Sequence, residues 1–132
     1  MATLYLDSSA IVKLVSPEAE SVALFEFIRS YDERLSSVLA RVEVHRAVGR
    51  ARGTAAERRR AERILERIAL VRIDDAILAL ASRVLPPDLR SLDAIHLATA
   101  LSVGDALAGV VTYDDRLARA AGAARLRVFA PA

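Results

Sequence analysis

Five short runs of strand character alternate with longer stretches of helical character, and this alternation restricts the fold more than any other feature. The runs are Thr3-Leu4-Tyr5-Leu6, Arg34-Leu35-Ser36, Ala69 to Ile73, Gly109 to Thr112 and Arg125 to Phe129. All except the second are largely apolar and contain Val, Ile, Leu or an aromatic residue, as buried strands do. The stretches between them carry helix start and stop signals. Asp7-Ser8-Ser9 can cap a helix through Ala10 to Val15, which Pro17 breaks. Glu18 to Arg29 reads as a helix with Val22, Phe25 and Ile28 on one face. Ser37 caps a helix from Val38 to Arg52, stopped by Gly53, and Thr54 with Glu57 forms a capping box for a helix ending near Arg67. Asp74 caps a helix through Leu80 and Val84, and Pro86-Pro87 forces a loop. Ser91 caps the helix Leu92 to Val103, closed by Gly104, and Asp114 to Ala121 is a short helix ended by Gly122. The expectation is an α/β fold with a mostly parallel central sheet flanked by helices. At 132 residues the chain fits one domain over residues 1–132.

In such a fold the carboxyl ends of the strands share a crevice. Asp7 ends the first run, Asp114 follows the fourth, and Asp93 opens a helix. Glu43 lies within a helical stretch, between Val42 and Val44, with Leu39 and Ala47 one turn away on either side. Each acid also has a structural reading: Asp7 and Asp114 as helix caps, Asp93 as a first-turn carboxylate favoured by the helix dipole, Glu43 as half of an ion pair. Taken together, converging carboxylates repel unless a cation stands between them. An oxygen-only donor set suits Mg²⁺ or Mn²⁺.

Composition narrows the class. There is no cysteine, which excludes disulfides and thiolate zinc sites. No apolar run approaches the roughly 20 residues of a membrane span, and no signal-peptide pattern opens the chain. The expectation is a soluble, cytoplasmic protein with no membrane partner. Net charge is only +2, but Lys13 is the single lysine and every other basic residue is arginine, a good phosphate ligand.

Three segments carry a family resemblance: Leu4-Tyr5-Leu6-Asp7-Ser8-Ser9-Ala10, Arg90-Ser91-Leu92-Asp93-Ala94-Ile95-His96-Leu97-Ala98-Thr99-Ala100, and Val111-Thr112-Tyr113-Asp114-Asp115-Arg116-Leu117. They resemble PIN-domain nucleases, and more narrowly the VapC toxins of bacterial toxin–antitoxin modules. The resemblance implies a PIN-like fold and an endoribonuclease that hydrolyses RNA phosphodiesters with one or two Mg²⁺ or Mn²⁺ ions, leaving a 5′-phosphate. On that basis Asp7 and Asp93 are the principal metal ligands, directly or through water. Glu43 and Asp114 complete the acidic ring and help hold a second ion, with Asp115 an alternative fourth acid. Ser9 and Thr112 orient carboxylates or waters. The implied partners are an RNA substrate, a small VapB-like antitoxin, and a second copy of the chain in a homodimer and in toxin–antitoxin hetero-oligomers.

Other residues are open to two readings. Lys13, Arg46 and Arg50 are candidates for substrate phosphate; surface charge is the alternative. Arg58 to Arg67 is strongly basic, either an RNA surface or a solvated face in which Arg58–Glu62 and Arg63–Glu66 pair. His96 can donate to a carboxylate or simply pack. Phe25, Phe27 and Ile28 can serve the core, an antitoxin groove or a dimer face. A non-catalytic PIN-like module binding RNA or protein is the competing function, and the presence of all four acids speaks against it. A phosphoryl-receiver reading lacks the acid pair after the first strand and the late lysine. A haloacid-dehalogenase-like phosphatase would need Asp where Ser9 stands.

Overall fold

In the computed structural model, which describes residues 2–132, five strands form one parallel sheet in the order β3-β2-β1-β4-β5. They are β1 (Thr3–Leu6), β2 (Glu33–Ser37), β3 (Ala69–Val71), β4 (Leu107–Val111) and β5 (Val128–Phe129). The helices are α1 (Ser8–Val15), α2 (Ser21–Arg29), α3 (Leu39–Arg50), α4 (Ala55–Glu66), α5 (Asp75–Ala81), α6 (Ser91–Ser102) and α7 (Asp115–Ala123). The expected α/β class with a parallel sheet is therefore present. The third and fifth strands are shorter than expected, and both are edges.

Crossovers between parallel strands are right-handed. The chain steps outward from β1 to β2 to β3, so α1 to α4 fall on one face. It then returns past β1 to β4 and β5, so α5 to α7 fall on the other. The two cores reflect this. Leu4 and Leu6 point to one face and pack with Ile11, Leu24, Val44 and Leu65. Tyr5, between them, points to the other and packs with Ala100 and Val110. All four β1 residues are buried because helices cover both faces. Each of the large buried aliphatics contributes about 1.5–3 kcal/mol. Gly109 is fixed by crowding: an added Cβ would stand 2.4 Å from the Phe129 ring and 2.9 Å from the Arg127 carbonyl.

Several helix-end expectations are corrected. Ser91 does not cap α6; it is its first residue, and Arg90 is the N-cap without a side-chain bond. Gly53 follows the end of α3 as expected, and the residue with left-handed backbone there is Arg52 (φ 55°). Gly53 is there because a Cβ would meet Val48 Cγ1 at 2.5 Å. Gly122 lies inside α7, and the left-handed residue comes later, at Arg125 (φ 69°). On α2 the buried face carries Leu24 and Ile28, while Val22 and Phe25 are exposed. The capping box of Thr54 and Glu57 forms as expected. Among the described residues neither expected ion pair forms along α4; Glu62 faces His45 of α3 at 2.9 Å. No helix among them is long and apolar enough to cross a membrane.

Candidate active site

The strand order reverses direction between β1 and β4, and the crevice at their carboxyl ends is where such folds place a site. An open pocket of about 570 Å³ lies there. Asp7, Glu43, Asp93 and Asp114 all line it, with Ser8, Ser9, Arg50, Arg90, Ser91 and His96. The sequence had placed these four acids at element ends and on one helix, and the fold brings them to one cavity.

Asp7 is held from every side. It follows β1 and caps α1: its Oδ1 accepts from the Ala10 amide (3.0 Å) and from Ser9 Oγ (2.7 Å). Its Oδ2 accepts from Thr112 Oγ1 at 2.6 Å. Ser9 in turn accepts from the Tyr113 amide (3.0 Å), and Thr112 from the Asp114 amide (3.1 Å). The two hydroxyls thus tie the ends of β1 and β4 together around one carboxylate. Asp7 is 4% exposed. Burial pushes its pKa above the usual carboxylate value, and the hydrogen bonds only partly offset that.

Asp114 serves two roles at once. Its Oδ1 caps α7 by accepting from the Arg116 and Leu117 amides (2.9 and 3.2 Å). Its Oδ2 faces Arg90 Nη2 at 3.8 Å. Asp93 stands in the first turn of α6 but does not cap it. Its Oδ2 is buried and has no hydrogen-bond partner; Arg90 Nε approaches to 3.5 Å without hydrogen-bond geometry. Burial, and then repulsion from Asp114, raise its pKa.

Glu43 is organised from below. Its Oε1 accepts from Ser8 Oγ and from His96 Nε2, both at 2.7 Å. Tyr5 Oη lies 2.7 Å from His96 Nδ1. A carboxylate can only accept, so Nε2–H donates to Glu43, and Nδ1 pairs with the Tyr5 hydroxyl. Burial raises the Glu43 pKa, but the His96 and Ser8 hydrogen bonds outweigh it and leave a net lowering. Burial pushes the Tyr5 phenol well up, so it stays a donor.

The donor set fits a hard divalent cation. All the acids offer oxygen, one buried oxygen lacks any donor, and burial holds the Asp7 and Asp93 carboxyls above their ordinary pKa. Among the described residues no three potential ligands close on one point. An ion here would therefore keep several waters, as Mg²⁺ commonly does.

The remaining candidates separate. Arg50 lines the pocket, whereas Arg46 and Lys13 do not. Lys13 is held by Glu18 and Glu20 and lies over the Tyr113 ring. Asp115 is exposed in the first turn of α7, outside the lining. Thr112 sits behind the pocket, in contact with Asp7. Arg90 and Ser8 had not been singled out as site residues. Ser8 meets Glu43 35 residues away, and Arg90 faces both the nearby Asp93 and the distant Asp114.

A family model described as PIN domain matches residues 4–123. The chain belongs to the PIN domain family. Within it the chain is similar to proteins named Ribonuclease VapC. It is 49% identical to Ribonuclease VapC46 of Mycobacterium tuberculosis over 99% of both chains. It is 42% identical to Ribonuclease VapC35 of the same organism over 97% of this chain and 96% of that one. These relatives place this PIN domain in the VapC branch. The fold matches the crystal structure of Mycobacterium tuberculosis VapC20, described as a sarcin-ricin loop cleaving toxin, with a TM-score of 0.75 at 16% identity, covering 97% of this chain and 99% of that one. It also matches a toxin–antitoxin complex from Klebsiella pneumoniae, with a TM-score of 0.66 at 18% identity, covering 84% and 86%. At those identities the two structures speak for the fold.

Proposed function

We propose that this chain is a ribonuclease toxin that hydrolyses RNA internally at the Asp7–Asp93 pocket with a divalent ion, Mg²⁺ or Mn²⁺. The observation that carries the proposal is the buried Asp93 Oδ2, to which nothing donates a hydrogen bond, lining one pocket with Asp114 and a fully oriented Asp7. Asp7 and Asp93 are the principal ligands, and Glu43 and Asp114 act on the same ion through water or assist a second. A bound divalent ion supplies a water of lowered pKa and neutralises charge on the phosphoryl oxygens. Ser9, Thr112 and the Ala10 amide hold Asp7 in one orientation. Ser8 and His96 keep Glu43 ionised, so it can accept a proton from a water in the pocket. Arg50 and Arg90 stand at the rim, where RNA phosphates arrive.

A small antitoxin is part of the same reading, as is a homodimer. Membership of the VapC branch supports the antitoxin. So does a second hollow of about 510 Å³, lined by the half-exposed Phe25 with Leu14, Ile28 and Ile64 and by Arg29, Arg34, Arg60 and Arg67. The protein would act in the cytoplasm, where its RNA is.

The test is to incubate purified protein and its Asp93→Asn variant with RNA, with Mg²⁺ and with a chelator, and to map the new ends. Metal-dependent internal cuts made by the wild type alone are expected. Equal cutting by both proteins, or cutting that survives chelation, would refute the assignment. Co-expression with the neighbouring reading frame reads the antitoxin claim through copurification and loss of cleavage.

A further inference from the structure

Among the described residues, Arg90 is the basic side chain that approaches two of the pocket's carboxylates. Its Nε lies 3.5 Å from Asp93 Oδ2 and its Nη2 3.8 Å from Asp114 Oδ2. Neither contact reaches hydrogen-bond geometry, for Asp93 Oδ2 remains without a donor. The side chain is 67% exposed, so it is loosely held. Its root is not: Arg90 is the N-cap of α6, and its carbonyl accepts from the Ala94 amide at 2.8 Å. An exposed cation, without a hydrogen bond to either carboxylate, is thus rooted at a fixed point on the rim of an acidic pocket.

Charge decides what this arrangement can do. One guanidinium between two carboxylates leaves a net negative charge, and at these distances it satisfies neither partner fully. A divalent ion held by Asp93 and Asp114 would neutralise both. Once displaced, the guanidinium keeps its five donors and has no carboxylate to hold. A phosphate diester approaching the pocket offers the bidentate acceptor that it fits best.

We propose that Arg90 is an exchangeable cation: it bridges Asp93 and Asp114 in the metal-free protein, gives way to the divalent ion, and then grips a phosphate of the RNA. The inference rests on the metal-dependent reading of the pocket given above. It predicts opposite signs for two measurements on one variant, which neither a scaffolding residue nor an ordinary surface arginine would give.

The experiment compares wild type, Arg90→Gln, Arg90→Lys, Asp93→Asn and the double variant Asp93→Asn/Arg90→Gln. Mn²⁺ binding is titrated without RNA, from the loss of the free-ion electron paramagnetic resonance signal. KM and kcat for a short RNA are measured at saturating Mn²⁺. Arg90→Gln should bind Mn²⁺ severalfold more tightly than wild type, because the competing cation is gone. Its KM should rise about tenfold with kcat little changed, the loss of one charge-assisted phosphate contact. Arg90→Lys should restore much of both. In the Asp93→Asn background the glutamine should no longer tighten Mn²⁺ binding. Unchanged or weaker Mn²⁺ binding by Arg90→Gln, while Asp93→Asn weakens it, would overturn the role of Arg90 alone. Mn²⁺ binding that ignores Asp93→Asn would overturn the metal reading and this inference with it.

Discussion

Asp7 and Asp93 face the same pocket and are held in opposite ways. Asp7 takes three donors, from Ser9, Ala10 and Thr112, and is almost fully buried. Asp93 lies on the first turn of a helix with a buried oxygen that nothing donates to. The first carboxylate is oriented by the fold before anything binds; the second has only the Arg90 guanidinium nearby, too far for a hydrogen bond with good geometry. A structural carboxylate would be satisfied on both sides, since an unmet buried acceptor costs about 1–3 kcal/mol. The difference teaches that one side of the pocket is fixed by the fold and the other is not, which is the contrast that the proposed ion site requires.

The comparison breaks first if the Asp93 side is made neutral. Asp93→Asn keeps the shape and removes the charge. Cleavage should fall by at least about a thousandfold, the several kcal/mol that a bound ion contributes to a phosphoryl transition state. Thermal stability in a chelator should hold level or rise, because repulsion from Asp114 disappears. A variant that still cuts, or one that is inactive because it has unfolded, would deny the contrast.

The fixed side has a second pillar at Glu43. His96→Leu leaves the Glu43 carboxylate and the Tyr5 hydroxyl without their shared partner. A loss of about 1–3 kcal/mol is expected from urea unfolding, with the buried Tyr5 hydroxyl orphaned and Glu43 left with Ser8 as its donor. If stability is unchanged, the Tyr5–His96–Glu43 chain is not structural and the histidine only fills space. The smaller lesion is Thr112→Val, close in shape, which deprives Asp7 Oδ2 of its donor. About 1–2 kcal/mol of stability should go, with a fall in cleavage of about 10- to 100-fold, as for groups that orient metal ligands. Unaltered cleavage would show that Asp7 needs no orienting.

How far sequence carried the site follows the same division. Asp7, Asp114 and Asp93 were legible because each sits at a junction whose local pattern announces it. Glu43 was legible because its helical neighbours are apolar, so an unpaired charge there stood out. The supporting network was not, since Tyr5 and His96 are 91 residues apart, and Glu43 and His96 are 53 apart. No window of sequence spans those pairs. Arg90 was hidden in a loop that its prolines mark only as a break. On α2 two apolar stripes compete: Val22 and Phe25 satisfy the helical period as well as Leu24 and Ile28 do. Tertiary packing chose the second, which periodicity alone does not decide. The end of α7 was misplaced because Gly122 was read as its stop, where the helix runs on to Ala123.

A gentler probe is pH. The raised pKa values of Asp7 and Asp93 mean that their contribution to stability is fully present below the unfolded value, near 3.8, and is lost as pH rises through the folded values. Glu43 runs the other way: its contribution is present above about 4.5 and is lost as pH falls through its lowered folded value. Melting curves in a chelator should therefore decline on the alkaline side of the carboxylate range. Asp93→Asn should flatten that decline, and Mn²⁺ should flatten it in the wild type. A decline that is identical with and without Asp93 would place the strain elsewhere.

The smallest effect separates the rim from the general surface. Arg50 lines the pocket and Arg46, one turn earlier on the same helix, does not. Both are exposed arginines, so long-range attraction treats them nearly alike, and any difference must come from direct contact with phosphate. For a single-stranded RNA each such contact contributes about 0.7 to the slope of log affinity against log salt. Arg50→Ala should lower that slope by about this amount, with a loss of affinity of only a few-fold. Arg46→Ala should leave the slope unchanged, as should Arg58→Ala on α4, which lies outside the pocket lining. Fluorescence anisotropy of a labelled RNA over a range of salt, with the Asp93→Asn protein to prevent cleavage, reads all three. Equal slopes for Arg46→Ala and Arg50→Ala would mean that RNA is held by diffuse charge, and the pocket would then select its substrate by the acids and Arg90 alone.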